Sequence, residues 1–476
     1  MSPEIATIVY LLGILGLFVL DRDRNDRTSK TLWLPVTWLW LAGSRTPSEW
    51  MGIWGLGSFG TQMNSADKYL EGSPFDAYIF LAMTVMGVIV LARKQQRIGK
   101  LLRENGPAFW FFAYCVISCI WSEHPDVALK RWIKAIGDLV MVLIVLAEVD
   151  LSAATKRLLS RVGFILVPLS ILFIKYYPAW GREYSHFDGR GTFTGITTTK
   201  NLLGMACLIS GLGPLWRLRQ AFTGVEGARK SKQLIAQGAL LAMAIYVLLI
   251  ADSATSTSCF LMAGALLAVT SLGRAGRKPM VVHLVVFGLI AVSALAALGG
   301  NLVGAVGRDS TLTGRTDIWN LVLSLRGNLM LGTGFESFWL GWRRERLWNV
   351  YRFHLNEAHN GYIEVFLNLG WVGVGFLALL IASGYRNAIA AFKRDPNMGS
   401  LKLAYFMIAV IYNLSESGFR MQDPVWIFFL WAILAVPERP VPDHIPLAET
   451  DHAEELYELE PQVDPVFNSQ SIQETL

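Results

Sequence analysis

The feature that most constrains this chain is a series of apolar runs that recurs along almost its whole length. Many approach the roughly 20 residues that an α-helix needs to cross a bilayer. Two of the runs are short, so we predict 12 or 13 transmembrane helices. The thirteen runs lie near positions 5–20, 31–43, 75–92, 107–121, 132–149, 162–177, 202–216, 233–251, 258–272, 280–300, 361–382, 401–414 and 425–436.

The composition agrees with a membrane protein. Hydrophobic residues make up 53% of the chain and charged residues only 17%, against about 25% charged residues in an ordinary soluble domain. The apolar runs are continuous, whereas the strands of an outer-membrane barrel alternate in polarity. We therefore predict an all-α polytopic membrane protein. The net charge of +5 is spread over short connectors, so we expect no nucleic-acid partner.

Lysine and arginine are distributed unevenly between the connectors, which predicts the topology. The connectors 21–30, 93–106, 150–161, 217–232, 273–279 and 383–400 hold 23 of them. The connectors 44–74, 122–131, 178–201, 252–257 and 415–424 hold 8. The positive-inside rule places the first set in the cytoplasm. The first run lacks a cleavage signal, so we expect an uncleaved anchor with its N-terminus outside.

Two regions differ in character from the apolar runs. Residues 301–360 form a polar segment with seven arginines, predicted to lie outside within a transmembrane domain of residues 1–436. Residues 437–476 are acidic and contain several prolines. We predict that this last region is a disordered cytoplasmic tail.

Several residues inside or beside the apolar runs receive a structural interpretation. The four cysteines, Cys115, Cys119, Cys207 and Cys259, are interpreted as buried small apolar residues. The Asp21-Arg22-Asp23 sequence has the form of a metal-binding Asp-x-Asp motif but is interpreted as a charged topology signal. Lys134 and Asp138 are four residues apart and can pair on one helix face, either as a structural ion pair or as a substrate contact.

The outside connector 178–201 is a candidate anion site. Glycines surround Arg190, and Lys200 with Asn201 begins the next apolar run. A helix N-terminus with free amide donors and nearby cationic side chains favours anions. The alternative is an ordinary glycine-rich turn with interfacial charges.

His359 ends the polar segment at the start of the next predicted helix. Asn360 follows it, and arginines lie nearby in the sequence. A lone histidine is usually structural. At the boundary between water and membrane, however, an imidazole with a pKa near ~6.5 can act as a base.

At this point the sequence resembles the O-antigen ligase and Wzy-type polymerase family of bacterial inner membranes. His359-Asn360, nine further residues and then Gly370-Trp371-Val372-Gly373 fit the family signature His-Asn-x9-Gly-x-x-Gly. The segment from Arg190 to Gly204 resembles an upstream outside loop of the family, and Gly314-Arg315 resembles the arginine of its large loop. The resemblance covers roughly residues 100–435 and is closest to exopolysaccharide polymerases of the succinoglycan type.

The resemblance implies glycosyl transfer, with inversion, from a polyprenyl-diphosphate-linked glycan outside the inner membrane. It implies His359 as general base, and Arg315 and Arg190 on the diphosphate. The predicted substrate-binding residues are Lys200, Asn201, Asn360, Arg343 and Arg344. The expected partners are the lipid-linked donor, a glycan acceptor, the bilayer and other polysaccharide-assembly proteins. We expect neither a cofactor nor a metal, because the outside acidic residues form no obvious metal set in the sequence.

Two alternatives remain open at the level of sequence. A ligase would transfer the glycan to a lipid or protein acceptor and shares the same motifs. A transporter for the lipid-linked sugar is the alternative from another class of protein. Transporters usually contain internal repeats, whereas the large outside segment 301–360 occurs once, which favours an enzyme. Sugar identity, linkage, chain length and oligomeric state cannot be predicted from the sequence.

Overall fold

Helices make up nearly all regular structure in the part of the chain that the computed structural model describes, residues 1–23, 28–56, 72–184, 191–222, 231–298, 311–351 and 354–436. In the first half they are α1 (Pro3–Leu20), α2 (Trp33–Ala42), α3 (Pro47–Ile53), α4 (Pro74–Ala92), α5 (Gln95–Glu104), α6 (Gly106–Ile117), α7 (Pro125–Leu146), α8 (Leu151–Tyr176), α9 (Pro178–Gly181) and α10 (Lys200–Phe222). Short 3₁₀ helices span Lys30–Leu32 and Ser118–Trp121.

The second half continues in the same way. Its helices are α11 (Ser231–Ile250), α12 (Ala254–Val269), α13 (Gly273–Gly276), α14 (Pro279–Leu298), α15 (Thr311–Ser324), α16 (Gly341–Val350), α17 (Gly361–Arg394), α18 (Pro396–Tyr412) and α19 (Pro424–Ile433). The strands β1 (Arg182–Tyr184) and β2 (Gly191–Phe193) form a two-stranded antiparallel sheet in which Glu183 pairs with Thr192.

The predicted fold class is confirmed: the chain is an all-α polytopic membrane protein, and each of the thirteen apolar runs coincides with helix. Among the described residues, six helices are long and apolar enough to cross a bilayer: α1, α4, α8, α11, α14 and α17. Three shorter apolar helices lie at Gly106–Trp121, Ala254–Val269 and Pro424–Ile433. The count of 12 or 13 spans stays a prediction.

Many helices begin where the sequence supplies a capping residue followed by proline. Ser2, Thr46, Ser73, Asp395 and Asp423 each precede a proline and accept a hydrogen bond from a backbone N–H of the first turn. Such side chains satisfy donors that have no partner within the helix. Proline at the first helical position loses no hydrogen bond, since its N–H would be unpaired there.

The helices bury one large apolar core, and the segment after α14 adds a smaller one. In the large core α10 packs against α11, α17 against α18, and α4 against α7. The smaller core joins α15 and α16 to the start of α17 through Val322, Phe338, Leu347 and Leu367. The polar segment of the sequence therefore folds onto α17 rather than lying along the bundle as a plain connection.

Charged side chains join connectors that were assigned to the same side of the membrane. Lys94 Nζ lies 2.8 Å from Glu148 Oε1, and Glu148 Oε2 accepts a hydrogen bond of 2.9 Å from the backbone N–H of Ser29. Lys94 and Ser29 belong to connectors 93–106 and 21–30 of the cytoplasmic set, and Glu148 lies at the end of the run that leads into connector 150–161. The grouping of connectors agrees with the predicted topology, while the side that each group faces remains a prediction.

The residues given a structural interpretation can now be placed. All four cysteines are buried and free of disulfides, as predicted. The pairing of Lys134 with Asp138 was wrong, because no ion pair joins these two described residues. Asp138 instead accepts hydrogen bonds of 2.8 Å from Trp38 Nε1 and from the Gln422 backbone N–H. Residues 437–476, the predicted tail, lie outside the described residues.

Candidate functional site

His359 is held between two carboxylates that come from different connectors. Its Nδ1 lies 3.1 Å from Oε1 of Glu357 and 3.4 Å from Oε2 of Glu416. Its Nε2 has no hydrogen bond among the described residues. A carboxylate that accepts from Nδ1 fixes the tautomer in which Nε2 carries the free lone pair. The imidazole is therefore oriented by one nitrogen and available through the other.

The turn that presents His359 is built by the residues after it. The backbone of His359 has φ of 50°, a left-handed conformation that non-glycine residues adopt rarely and that often marks functional sites. Asn360 then caps α17, because its Oδ1 accepts from the backbone N–H groups of Tyr362 and Ile363 at 3.0 and 3.1 Å. Its Nδ2 donates to the Leu414 carbonyl at 3.1 Å. Asn360 thus has a structural role in this fold.

Gly361 lets the two connectors approach closely. Its N–H donates to the carbonyls of Asn413 and Glu416 at 2.9 and 3.0 Å. A Cβ at this position would lie only 1.8 Å from Asn413 Oδ1. Glycine is therefore required here for close packing, and this packing brings Glu416 to His359.

Arg315 reaches the same carboxylate from α15. Its Nη2 lies 3.1 Å from Oε1 of Glu416. One helical turn further along α15, Trp319 Nε1 donates to the Ala358 carbonyl at 2.8 Å. This hydrogen bond attaches the helix to the turn directly before His359. The arginine and the histidine predicted from the sequence are therefore brought together through Glu416.

A second arginine completes the cluster. Arg420 Nη1 lies 3.0 Å from Oε2 of Glu357, and its side chain remains 45% exposed. Asn201 Nδ2, at the start of α10, lies 3.4 Å from both carboxylate oxygens of Glu416. Two carboxylates, two guanidinium groups and one imidazole therefore form a continuous charged network, which we call the His359 cluster.

The charges of the cluster shift the pKa values of its members. Burial alone would lower the pKa of His359, but hydrogen bonds with Glu357 and Glu416 and their charges outweigh it and raise the pKa to about 9. Burial would also raise the pKa of Glu357, but Arg420, His359 and Arg315 outweigh it and lower the pKa to about 2. At neutral pH, His359 is therefore mainly an imidazolium and Glu357 a carboxylate.

Three members of the cluster also have the arrangement of a cation site. One ligand atom from each of Glu357, His359 and Glu416 lies within 4.8 Å of the others. The sequence had indicated no such set, because Glu416 lies 57 residues after His359 along the chain. Arg315 and Arg420 already bring positive charge to the two carboxylates. A cation would have to compete with both guanidinium groups and with the proton on His359.

The cluster borders a large polar cavity. The cavity has a volume of about 830 Å³, and its lining includes Asn201, Glu357, Glu416 and Arg420, with Arg45 among the other residues. Its residues come from connectors 44–74, 178–201, 301–360 and 415–424 and from the adjoining helix ends. All four connectors were predicted to lie outside. A volume of this size falls in the usual range for small-molecule sites.

Gly370, a glycine of the sequence signature, shapes the surface of α17 on which the loop before α16 packs. Gly370 has φ of 64° inside α17, and a Cβ there would lie 2.3 Å from the Met330 carbonyl. The backbone N–H of Trp371 donates to Leu329 and that of Val372 to Met330, at 3.0 and 3.1 Å. The kink at Gly370 therefore provides the place where the loop before α16 docks on α17.

Glu364 connects this docked loop to the histidine turn. One carboxylate oxygen accepts a hydrogen bond of 2.9 Å from Trp339 Nε1, and the other accepts from the backbone N–H of Ala358. Glu364 is buried and lies one turn into α17. It therefore acts as a positioning residue for His359.

The remaining predicted site residues have other surroundings. Arg190 lies outside the described residues. Lys200 Nζ lies 4.0 Å from Asp252, and its side chain is 40% exposed. Arg343 is buried, pairs with Glu123 at 3.0 Å and donates to the Leu325 carbonyl at 3.1 Å. Arg344 is also buried and lies 3.8 Å from Glu345. These contacts give Arg343 and Arg344 a part in the packing of α16.

Sequence reasoning did not assign roles to Glu357, Glu416 or Arg420. Connector 415–424 could have indicated them. It is short and lies between two apolar runs, yet it holds three charged residues, Glu416, Arg420 and Asp423. Charged residues so close to a bilayer usually need partners. Their partners lie in other connectors, and only the folded chain shows them.

Comparison with known proteins gives two matches. A family described as O-antigen ligase matches residues 239–378, a stretch that ends inside α17 and includes Arg315, Glu357 and His359. A protein of Rhizobium meliloti (strain 1021) named exopolysaccharide production protein ExoQ is 30% identical over 318 residues. The alignment covers 62% of this chain and 69% of that protein.

Proposed function

The chain belongs to the O-antigen ligase and Wzy-type polymerase family, and from this membership we propose that it polymerises an exopolysaccharide or O-antigen-like glycan. The donor is a polyprenyl-diphosphate-linked oligosaccharide repeat. The growing glycan is the acceptor. The reaction takes place at the extracytoplasmic face of a bacterial inner membrane, and the C-terminus lies in the cytoplasm. Other polysaccharide-assembly proteins supply the substrate and receive the product.

The observation that carries this proposal is the orientation of His359. Glu357 and Glu416 contact only Nδ1 of the imidazole, which leaves Nε2 for a substrate hydroxyl. In the neutral imidazole, Nε2 can accept the proton of that hydroxyl while a carboxylate holds the Nδ1–H. The same arrangement orients catalytic histidines in unrelated enzymes.

The proposed transfer places negative charge on the departing diphosphate, so positive charge is needed near that leaving group. As the acceptor oxygen bonds to the anomeric carbon, the bond from that carbon to the diphosphate oxygen breaks. The electron pair leaves with the diphosphate, and the acceptor proton moves to Nε2 of His359. Attack from the side opposite the leaving group inverts the anomeric centre.

Arg315 and Arg420 are the groups in the cluster that can stabilise the departing diphosphate. Guanidinium groups bind phosphate oxygens through two parallel hydrogen bonds, and positive charge placed where negative charge develops lowers the barrier. Arg190 and Lys200, on the connector before α10, are further candidates for this role. Arg343 and Arg344, which were predicted to bind substrate, take part in the packing of α16.

We propose that this transfer does not depend on a metal. A lipid diphosphate is a weakly basic leaving group and needs no acid to assist it. The two arginines supply the positive charge that a divalent ion would otherwise bring to the diphosphate. Adding or removing divalent cations is therefore expected to leave the rate unchanged.

A ligase remains the second candidate, because the family that matches residues 239–378 is described as O-antigen ligase. In a ligase the acceptor would be a lipid or protein hydroxyl instead of a second repeat. The name of the Rhizobium relative, which refers to exopolysaccharide production, favours the polymerase.

The experiment that separates these functions uses purified protein in liposomes with the lipid-linked repeat unit and a chelator. A ladder of products with two or more repeats, formed from the donor alone, supports a metal-independent polymerase. Transfer that occurs only after a separate acceptor is added supports the ligase. Movement of the donor across the bilayer without any new glycosidic bond would refute both.

A further inference from the structure

A second cavity lies at the opposite group of connectors, away from the His359 cluster. It has a volume of about 450 Å³ and lies where α1 ends, α2 begins and the first half of α8 passes. Three arginines, Arg22, Arg157 and Arg161, line it. Connectors 21–30 and 150–161, which supply them, belong to the set with 23 lysines and arginines. Nothing in the proposed glycosyl transfer uses this cavity.

Two arginines of α8, Arg157 and Arg161, lie close together at this cavity. Arg157 and Arg161 are four residues apart, so they share one helix face, where like charges repel. Arg157 is held by hydrogen bonds to Thr28 Oγ1 and, at 3.2 Å, to the Asp23 carbonyl. Nη1 of Arg161 is buried and has no hydrogen-bond partner in the part of the chain that the structure describes. A buried donor without an acceptor is costly, and an anion in the cavity would remove that cost.

The acidic residues at the cavity do not cancel this charge. Asp21 lies 2.7 Å from Nη1 of Arg217 and accepts a hydrogen bond of 2.9 Å from Gln237. It therefore balances an arginine that does not line the cavity. Asp23 is the other acidic residue among the described residues of the lining. Three arginines and two aspartates of this described lining leave a formal charge of +1, and Asp21 is already paired with Arg217.

Apart from Ser160, the rest of the lining is aromatic, and it adjoins an exposed apolar face of α1. Phe18, Trp33 and Phe164 form one wall, with Phe18 stacked on Trp33 at 6.3 Å between ring centroids. The guanidinium of Arg161 lies 4.3 Å from the Trp33 ring centroid. The adjoining helix α1 exposes seven large apolar side chains, Ile5, Ile8, Val9, Leu11, Leu12, Leu15 and Val19.

We propose that this cavity binds the phosphate of an anionic phospholipid headgroup, with the acyl chains lying along α1. Arg22 and Arg161 contact the phosphate, and Trp33 packs against the glycerol region. Basic pockets between membrane helices on the cytoplasmic side are suited to such headgroups. The excess positive charge selects anionic over zwitterionic lipids. A free phosphate ion has the same charged group but would leave the aromatic wall and the exposed face of α1 unused.

Native mass spectrometry of the purified full-length protein tests this proposal, with phosphatidylglycerol and phosphatidylcholine added at equal concentration. We expect phosphatidylglycerol to be retained preferentially. Arg22→Gln and Arg161→Gln should each reduce its retention about fivefold, the loss of one cationic attraction. Arg22 is exposed, so its variant tests binding even if Arg161→Gln fails to fold. Arg274→Gln is the matched control, because it removes an exposed arginine from connector 273–279, in the same group.

Three results would overturn the proposal. The first is equal retention of the two lipids, and the second is an equal loss in Arg274→Gln and Arg22→Gln. The third comes from adding inorganic phosphate alone: if it binds at the lipid concentration and displaces phosphatidylglycerol completely, the cavity is a free-phosphate site. Retention of phosphatidylglycerol in the presence of equimolar inorganic phosphate supports the lipid.

Discussion

Nδ1 of His359 lies 3.4 Å from a carboxylate oxygen of Glu416, although 57 residues separate them in the sequence. The other oxygen of Glu416 lies 3.1 Å from Arg315, and Asn201 lies 3.4 Å from both. One carboxylate therefore links Arg315, His359 and Asn201, which had been singled out from three separate sequence motifs. Glu416 thereby brings the proposed base and an arginine to one site.

The pH dependence of the rate should reflect the charge on His359. A base acts in its neutral form, and the pKa of His359 is raised to about 9 by Glu357 and Glu416 against the effect of burial. We expect kcat/KM to rise about tenfold per pH unit from pH 7 and to level off near pH 9. Glu416→Gln removes one negative charge and should move this rise to lower pH, which a pH–rate profile measures. An unchanged profile in Glu416→Gln would contradict the assignment of His359 as base.

The same raised pKa affects stability, so folding must be followed in parallel. The contribution of a raised histidine pKa is fully present below the unfolded value of 6.5 and is lost as pH rises through about 9. Thermal unfolding of the wild type should therefore shift to lower temperature between those values. Rates should be compared only where the protein remains folded.

Arg315→Ala should reduce the transfer rate about 10²–10³-fold, the typical effect of removing one group that stabilises the transition-state charge. Arg315→Lys should recover part of the loss, because it keeps the charge but not the two-pronged hydrogen bonding. Arg326→Ala is the control, since Arg326 is an exposed arginine just after the same helix. Equal losses in the Arg315 and Arg326 variants would show that general charge, and not the position of Arg315, matters.

Gly361→Ala tests whether close packing positions the cluster. The added Cβ would lie 1.8 Å from Asn413 Oδ1, so we expect a loss of about 1–3 kcal/mol in the free energy of unfolding, as for other overpacked sites. Gly375→Ala in the same helix is the control, because nothing lies within 4 Å of its added Cβ. Thermal unfolding in detergent measures both variants. Similar stability of the two would mean that the connectors separate easily at Gly361.

The predicted sidedness can be tested with single cysteines and a membrane-impermeant maleimide. The four native cysteines are buried, so the wild type should remain unlabelled. Thr198→Cys lies at the polar cavity in an exposed position and should be labelled in cells whose inner membrane is intact. Arg274→Cys should be labelled only after that membrane is opened. The reverse pattern would place the His359 cluster in the cytoplasm.

Much of the fold could be predicted because it depends on local patterns. The thirteen apolar runs correspond to helices. In the sequence signature, Asn360 caps α17 and Gly370 forms a left-handed kink inside it. The partners of His359 could not be predicted in this way. Glu416 and Arg420 occupy a short connector, and no periodicity indicates which other connector they meet. The pairing of Lys134 with Asp138 failed for the same reason, since Asp138 found its partners on other elements.

The most direct test of the account is the transfer rate of His359→Asn from the lipid-linked donor in liposomes. Asparagine tolerates the left-handed backbone of this position better than alanine does, so the turn should be retained. His354→Asn is the matched control, because His354 also has a positive φ in the same segment but its ring contacts Trp348. We predict a loss of about 10²–10⁴-fold for His359→Asn and an unchanged rate for His354→Asn. Wild-type product yield from a folded His359→Asn protein would contradict the central claim that His359 is the catalytic base.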